Sequence, residues 1–221
     1  MFTSEGKKRA LIIGNAYDDQ LSQKNKIKPL LSCNEDVDRL NNLLLSLGFA
    51  KKHIHIRKNV SPKKYVEHFI KRTKPGDLLF IHFSGHGEGV GKIENKTVKL
   101  VSGWLNPDTT LYLSSDLEKK ISNLENSKII ISSDSCFSGR FFNNFQNLNN
   151  EIYFIGSSNS LSKSNAYTVE GKNKSGSLIL LYEYIYQKSS FNINFNEFIK
   201  LKDQFIEETK IGANRILVKQ I

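Results

Sequence analysis

Cys136 and His86 are the two residues of this chain whose side chains together could make and break an acyl bond. Cys136 stands in KIIISSDSCFSG, Lys128 to Gly139, and His86 in DLLFIHFSGHG, Asp77 to Gly87. Cysteine proteolysis needs that pair: a thiolate attacks a carbonyl carbon, and histidine holds the thiolate and protonates the leaving amine. Neither residue carries the reading alone. A single cysteine most often behaves as a small buried hydrophobe, and a single histidine at a strand end is as readily a structural one.

What precedes each residue gives the pair its weight. Ile129-Ile130-Ile131 is an unbroken β-branched run after the turn-like Glu125-Asn126-Ser127, which reads as a strand buried on both faces of a parallel sheet. Ser132-Ser133-Asp134-Ser135 then reads as a polar edge that brings Cys136 to solvent, with Ser138-Gly139 as loop. Asp77 to Phe83 is a second apolar strand pattern, introduced by Lys74-Pro75-Gly76 and closed by Ser84-Gly85-His86-Gly87. Two strand ends thus deliver a thiol and an imidazole to the edge where open α/β sheets collect ligands and chemistry.

The remaining elements fit the same α/β class. Arg9 to Asn15 reads as the first strand and Ala16 to Pro29 as a loop over the sheet edge. Ser32-Cys33-Asn34-Glu35 fits a capping box, and Val37, Leu40, Leu44 and Leu47 recur at helical spacing until Gly48. Cys33 and Asp36 therefore share one face of the first turn. His53 to Arg57 alternates as a strand, and Ser61-Pro62 opens a helix through Val66, Phe69 and Ile70. Lys99 to Val101 and Leu111 to Leu113 are expected to form a small hairpin beside the main sheet. Ser114 or Ser115 is expected to cap a helix through Leu117, Ile121 and Leu124, which leads to the Cys136 strand in right-handed βαβ order. Trp104 fits either the mouth of a site or the core. Ile152 to Gly156 follows as a strand, Leu178 to Tyr186 and Phe195 to Ile206 as helices, and Arg215 to Val218 as a closing strand. Ser157 to Ser177 is a long polar stretch of the kind that is usually functional or mobile.

Composition narrows the classes. A chain of 221 residues with 38% hydrophobic content suits one well-buried domain, residues 1–221. No run approaches a membrane span, and Ala10 to Ile13 is too brief for a signal-peptide core, so no membrane partner is expected. Two cysteines make no disulfide framework, and a nucleophilic thiol must stay reduced, which points to a cytoplasmic site. The net charge of +10 is densest in Lys51 to Lys74, with nine Lys and Arg and the single acid Glu67. Such a patch is able to bind phosphate or an acidic partner. It reads more simply as a solvated face in a lysine- and asparagine-rich chain, and no phosphate loop, zinc-ligand spacing or RNA-binding signature accompanies it. His53, His55 and His68 lie in this region without acid or cysteine partners and read as surface histidines.

With SGHG at Ser84 to Gly87 and DSCFSG at Asp134 to Gly139, the chain resembles the caspase-like cysteine peptidases, metacaspases and their bacterial relatives above all. His86 and Cys136 are fifty positions apart, close to the caspase spacing. Two departures stand out: Phe137 occupies a place where metacaspases commonly have a second histidine, and Asp134 one where caspases proper have glutamine. The resemblance implies a three-layer αβα, caspase–haemoglobinase-like fold with a mostly parallel sheet of about six strands. A larger portion would span about 1–150 and a smaller one about 151–221. It also implies an oxyanion hole from the backbone N–H groups of Gly87 and Cys136.

The resemblance further implies a pocket for the residue before the cut, lined by Cys33, Asp36, Ser84 and Asp134. On its own Asp36 is a helix-dipole partner and Asp134 a turn former. Converging beside a nucleophile, two carboxylates favour a cationic side chain, arginine above all, so substrates with Arg or Lys before the cut are expected. Caspases that cut after aspartate use an arginine just before this helix, where the chain has Ser32. Calcium-dependent metacaspases carry clustered acids before the third helix, where the chain has Ser114-Ser115-Asp116; no metal and no cofactor are expected. Related peptidases often cut their own connector. Lys163, Lys172 and Lys174 in the polar stretch suit the acidic pocket, with Lys172 and Lys174, beside Gly171 and Gly176, favoured as sites of self-cleavage. Two other classes stay open: a regulatory or binding protein that keeps the fold without the chemistry, and a basic nucleic-acid-associated protein.

Overall fold

Each apolar run becomes a strand, and the two that end in His86 and Cys136 lie side by side. The computed structural model describes the chain except residues 1–3, 95–96, 142–144, 146–149, 160–162, 165, 168–174, 191–192, 213–215 and 221, with backbone alone for 92–94, 97–100 and 166. In chain order the elements begin with β1 (Lys8–Gly14), α1 (Gln20–Lys24), α2 (Ser32–Ser46), β2 (Ile54–Lys58), α3 (Pro62–Lys71) and β3 (Leu78–Ser84). Next come β4 (Gly87–Glu94), β5 (Thr97–Leu105), β6 (Leu111–Leu113), α4 (Ser114–Ile121), β7 (Lys128–Asp134) and α5 (Ser138–Phe141). The chain closes with β8 (Glu151–Gly156), β9 (Ala166–Tyr167), β10 (Ser175–Gly176), α6 (Ser177–Ser189), α7 (Phe195–Thr209) and β11 (Leu217–Gln220).

The main sheet has six strands in the order β11-β8-β7-β3-β1-β2, all parallel except β11, which pairs antiparallel with β8. Alternate residues of its strands feed two cores. Ile12, Phe80, Ile130 and Ile155 face α2, α6 and α7 on one side, while Leu11, Ile81, Ile131 and Phe154 face α3 and α4 on the other. The three-layer α/β architecture follows, because a sheet buried on both faces needs helices on both. β1 has β2 on one side and β3 on the other, so the direction of winding reverses there. Helix α2 crosses one face and α3 the other, which leaves a crevice outside the carboxyl ends of the strands.

Several local expectations are corrected. Strand β7 continues through Asp134, and Ser132 to Ser135 are buried; the parallel ladder to β3 carries the strand on beyond its apolar run. Ser32 is the first helical residue of α2, not its cap, because Leu31 already holds helical angles and no side chain caps the end. Ser114 likewise begins α4, where the Asp116 carboxylate accepts the Leu113 N–H at 3.2 Å. The small hairpin is a three-stranded sheet, β4-β5-β6, since the glycine-rich Gly87 to Glu94 pairs with β5. The closing strand is Leu217–Gln220, and Arg215 lies outside the described residues.

Trp104 belongs to the core. It has no exposed surface and stacks between Phe83 and Phe141, each ring 4.7 Å away at 8°. Aromatic pairs of this kind contribute about 0.5–1.5 kcal/mol each beyond area burial. Its indole N–H donates to Ser133 Oγ at 2.9 Å, which ties β5 to the strand that carries the cysteine.

Candidate active site

The register of β3 and β7 sets the site. Ser84 pairs with Asp134 at the end of the two strands, so His86 and Cys136 each follow two residues beyond the same rung. Both line a cavity of about 530 Å³, together with Cys33 and Asp36 of α2, Ser84, Gly87 and Asp134. The structure thus brings every residue read from the sequence as catalytic, oxyanion-binding or pocket-lining into one crevice. Of the three lysines read as self-cleavage sites, Lys163 also lines it. Lys172 and Lys174 lie outside the described residues.

His86 is held from three directions. Its backbone N–H donates to the phenol oxygen of Tyr17 at 3.0 Å, and its ring centroid lies 4.9 Å from that of Tyr17. The ring Nε2 is 2.8 Å from the backbone carbonyl of Lys28. A carbonyl only accepts, so Nε2 carries the hydrogen and Nδ1 is left as the basic nitrogen. Tyr17 is itself fixed: its hydroxyl donates to Leu105 O at 2.8 Å, and its N–H donates to Asn59 Oδ1 at 2.9 Å. Neither Tyr17 nor the Lys28 carbonyl was legible as part of the site, because one is a generic aromatic after a strand and the other is backbone.

Cys136 sits on a tight turn built by serines. Phe137, the next residue, holds a left-handed φ of 57°, which costs a side-chain-bearing residue of the order of 1 kcal/mol. Ser138 and Ser158 exchange bonds that offset the cost: Ser138 N–H donates to Ser158 Oγ at 2.9 Å, and Ser158 N–H donates to Ser138 Oγ at 3.0 Å. Ser158 Oγ also donates to Ser135 O at 3.0 Å. Burial pushes the Cys136 thiol above its ordinary value, while the Ser164 backbone N–H and the Lys163 charge pull it down, and Glu88 and Asp134 push it up again. The thiol is therefore neutral at rest, and a base is needed to ionise it. Cys33 is no competitor as nucleophile, because burial raises its pKa to about 12.

Gly87 approaches Cys136 closely. A Cβ there would lie 2.1 Å from Cys136 O and 2.9 Å from Ser135 Oγ, so only glycine fits. The Leu105 N–H bonds His86 O at 3.0 Å, which makes Gly87–Trp104 a non-hydrogen-bonded pair of the β4-β5 ladder and turns the Gly87 N–H away from β5.

The carboxylates lie at the bottom of the crevice with Gly176 between them. A Cβ on Gly176 would lie 2.1 Å from Asp134 Oδ2 and 3.2 Å from Asp36 Oδ2. Asp36 accepts from Gly176 N–H at 2.9 Å and from Ser175 Oγ, and Arg39 Nη1 stands 3.9 Å away. Asp134 accepts from Leu178 N–H in the first turn of α6 and from Ser164 Oγ, both at 3.1 Å. Asp36 is 1% exposed and Asp134 is 7% exposed. Burial, then the neighbouring Asp134, push Asp36 to about 6 against the pull of Ser175, Gly176 and Arg39. Burial raises Asp134 as well. Arg39 is anchored in turn by a two-pronged pair with Glu183 of α6. Among the described residues no group of three or more His, Cys, Asp and Glu side chains is placed to hold a metal ion. None of their helices is long and apolar enough to cross a membrane.

Comparisons with known proteins agree with this arrangement. The family model described as the caspase domain, peptidase C14, matches residues 7–204. Metacaspase-7 of Arabidopsis thaliana is 31% identical over 152 residues, covering 60% of this chain and 35% of that protein. The match therefore spans about a third of the relative's length. The crystal structure of protein GSU0716 from Geobacter sulfurreducens superposes with a TM-score of 0.76 over 97% of this chain and 93% of that one, at 13% identity, and so shares the fold.

Proposed function

Because the chain belongs to the caspase-domain family of peptidases, we propose that it is a cysteine endopeptidase that cuts after Arg or Lys. The observation that carries the proposal is the shared rung: Ser84 opposite Asp134 sends His86 and Cys136 into one cavity whose wall contains Asp36. In the reaction, Nδ1 of His86 takes the Cys136 proton as sulfur attacks the substrate carbonyl. The Gly87 and Cys136 N–H groups bind the oxyanion. The imidazolium then gives its proton to the leaving amine, and water releases the acyl group from sulfur by the reverse use of the same base. Lys28 O holds the tautomer through the cycle and stabilises the imidazolium.

Asp36 and Asp134 would bind the guanidinium or ammonium of the substrate, and Ser84 and Cys33 would shape the walls around it. Protein or peptide substrates are the partners. Both cysteines are free thiols, which fits a reducing compartment such as the cytoplasm. A fluorogenic peptide panel that varies only the residue before the cut tests the reading. Arg and Lys peptides should be cleaved in preference to an Asp peptide, and Cys136→Ala should abolish turnover with the fold intact. Preference for Asp, or undiminished cleavage by the variant, would overturn it.

A further inference from the structure

Away from the crevice, the basic segment Lys51 to Lys74 folds into β2, α3 and their flanks, and it builds a second concavity. Register pairs Leu11 with His55 and Ile13 with Arg57, so His55 and Arg57 project from edge strand β2 on the face that α3 covers. Val66, Phe69 and Ile70 seat α3 in the core, and the side of the helix toward β2 leaves a trough of about 220 Å³. His55, Arg57, His68 and Arg72 line it, with Tyr65 and Phe69 as walls. That is four nitrogen bases and no carboxylate. Arg9 stands behind the trough with its guanidinium 5.9 Å from the Phe69 ring; it is 8% exposed, and its Nε has no hydrogen-bond partner.

The nearby acids are engaged elsewhere. Glu67 pairs with Lys120 at 3.1 Å, and Asp77 accepts the N–H groups of Lys7 and Lys74. Among the described residues no ion pair reaches Arg9, Arg57 or Arg72. The uncompensated field registers on His55, whose pKa is lowered by burial and then by Arg57, Arg9, Arg72 and His53. The cluster is also preorganised, because Arg57 lies 5.0 Å over the Tyr65 ring and donates to its neighbour's carbonyl, Ile56 O, at 2.6 Å. An anion in the trough would relieve the like-charge repulsion and find donors already in place.

From this geometry we infer that the trough binds a phosphate group, a small tetrahedral oxyanion held by Arg57, Arg72, His55 and His68. Its volume is below the range of ordinary small-molecule pockets, which suits one phosphate with its water. A nucleic-acid strand is the poorer fit. Stacked bases need free aromatic faces, and here Arg57 covers Tyr65 while Phe69 is buried. The site is on the α3 face, apart from the crevice, and does not rest on peptidase activity.

The test is thermal unfolding and calorimetric titration of the full chain in the Cys136→Ala background, with inorganic phosphate and O-phosphoserine as probes against chloride at matched ionic strength. A saturable rise in Tm with either probe is expected, and the tighter of the two identifies free or esterified phosphate as the natural source. His68→Gln with Arg72→Gln removes two exposed nitrogen donors without touching the core, and should weaken the apparent affinity by roughly tenfold or more, the scale of a lost charge-assisted hydrogen bond. Arg57→Gln should act in the same direction. A response no larger than chloride's, a response unchanged in both variants, or oligonucleotide binding without any phosphate response would overturn the inference.

Discussion

The hydroxyl of Tyr17 joins the backbone of His86 to that of Leu105, accepting the His86 N–H at 3.0 Å and donating to Leu105 O at 2.8 Å. It links the end of β3 to the end of β5 just where the imidazole leaves the sheet. Tyr17→Phe keeps the ring against His86 and removes both bonds, leaving the His86 N–H unpaired and Leu105 O with only the 3.3 Å bond from Asn15 Nδ2. We predict a stability loss of about 1–3 kcal/mol. Because the imidazole is displaced and the acidic pocket is untouched, kcat should fall while KM for an Arg peptide stays near its original value. Denaturant unfolding and steady-state kinetics on the one variant check both; a change in KM alone would place Tyr17 in binding instead.

Gly87→Ala tests the contact between the two catalytic segments. Its Cβ would meet the backbone carbonyl of Cys136, 2.1 Å from the oxygen and 3.1 Å from the carbon, which cannot swing aside as a flexible side chain could. The turn carrying the thiol must shift, and a misplacement of about 1 Å costs on the order of a hundredfold in rate. Near-complete loss of turnover is expected, with the thiol still alkylated by iodoacetamide. Wild-type turnover in the variant would remove Gly87 from the oxyanion hole and from the packing alike.

The strands and the pair were legible because burial on both faces writes itself into apolar runs, as in Leu78 to Phe83 and Ile129 to Ile131. Cys33, Asp36, Ser84 and Asp134 were legible only by resemblance. Serine and aspartate at turns and helix starts have ordinary local uses, and nothing in their spacing says that they converge. Strand β4 was not legible, since GEGVG reads as a loop and becomes a strand only through the ladder offered by β5. The serine lattice of Ser135, Ser138 and Ser158, the Lys28 carbonyl and Gly176 between the two carboxylates were equally hidden. Each acts through backbone or through contacts across long stretches of chain, which no local pattern records.

Substrate binding should depend on pH through Asp36. Its pKa of about 6 means that it is partly neutral near pH 5.5, where an ordinary aspartate is charged. A cationic side chain binds the ionised form, so protonation competes with binding. The groups facing Asp36 are Asp134, Arg39, Ser175 and Gly176. The Kd of an Arg peptide for Cys136→Ala should be flat above pH 7 and weaken as pH falls through 6, with a limiting slope near one proton. In Asp36→Asn that inflection should vanish. An inflection that persists there would assign the titration to another group.

Calcium should not be required. Ser114 and Ser115 open α4 where several carboxylates would be needed, and Asp116 is engaged with the Leu113 N–H. Peptide hydrolysis in excess chelator should match that in millimolar calcium. Activity that appears only on adding calcium would show ligands in the segments outside the described residues.

The backbone N–H of Ser164 reaches the Cys136 thiol and Lys163 lines the same cavity, and on that placement we predict self-cleavage after Lys163. Lys163 lines the cavity, and the Ser164 N–H and the Lys163 charge both act on the Cys136 thiol. Ser164 Oγ donates to Asp134 at 3.1 Å, so the segment already touches the acidic pocket. A bond held beside a thiol in this way is presented at high effective concentration. Lys172 and Lys174 suit the same pocket by charge, yet only Lys163 has a described position beside the nucleophile. Purified wild type should therefore contain a fragment ending at Lys163 that is absent from Cys136→Ala, and Lys163→Gln should suppress that cut while leaving cleavage of an added Arg peptide in place. Intact-mass measurement of the three proteins decides it: a full-length wild-type chain that turns over peptide would show that the segment only rests on the site and is not cut.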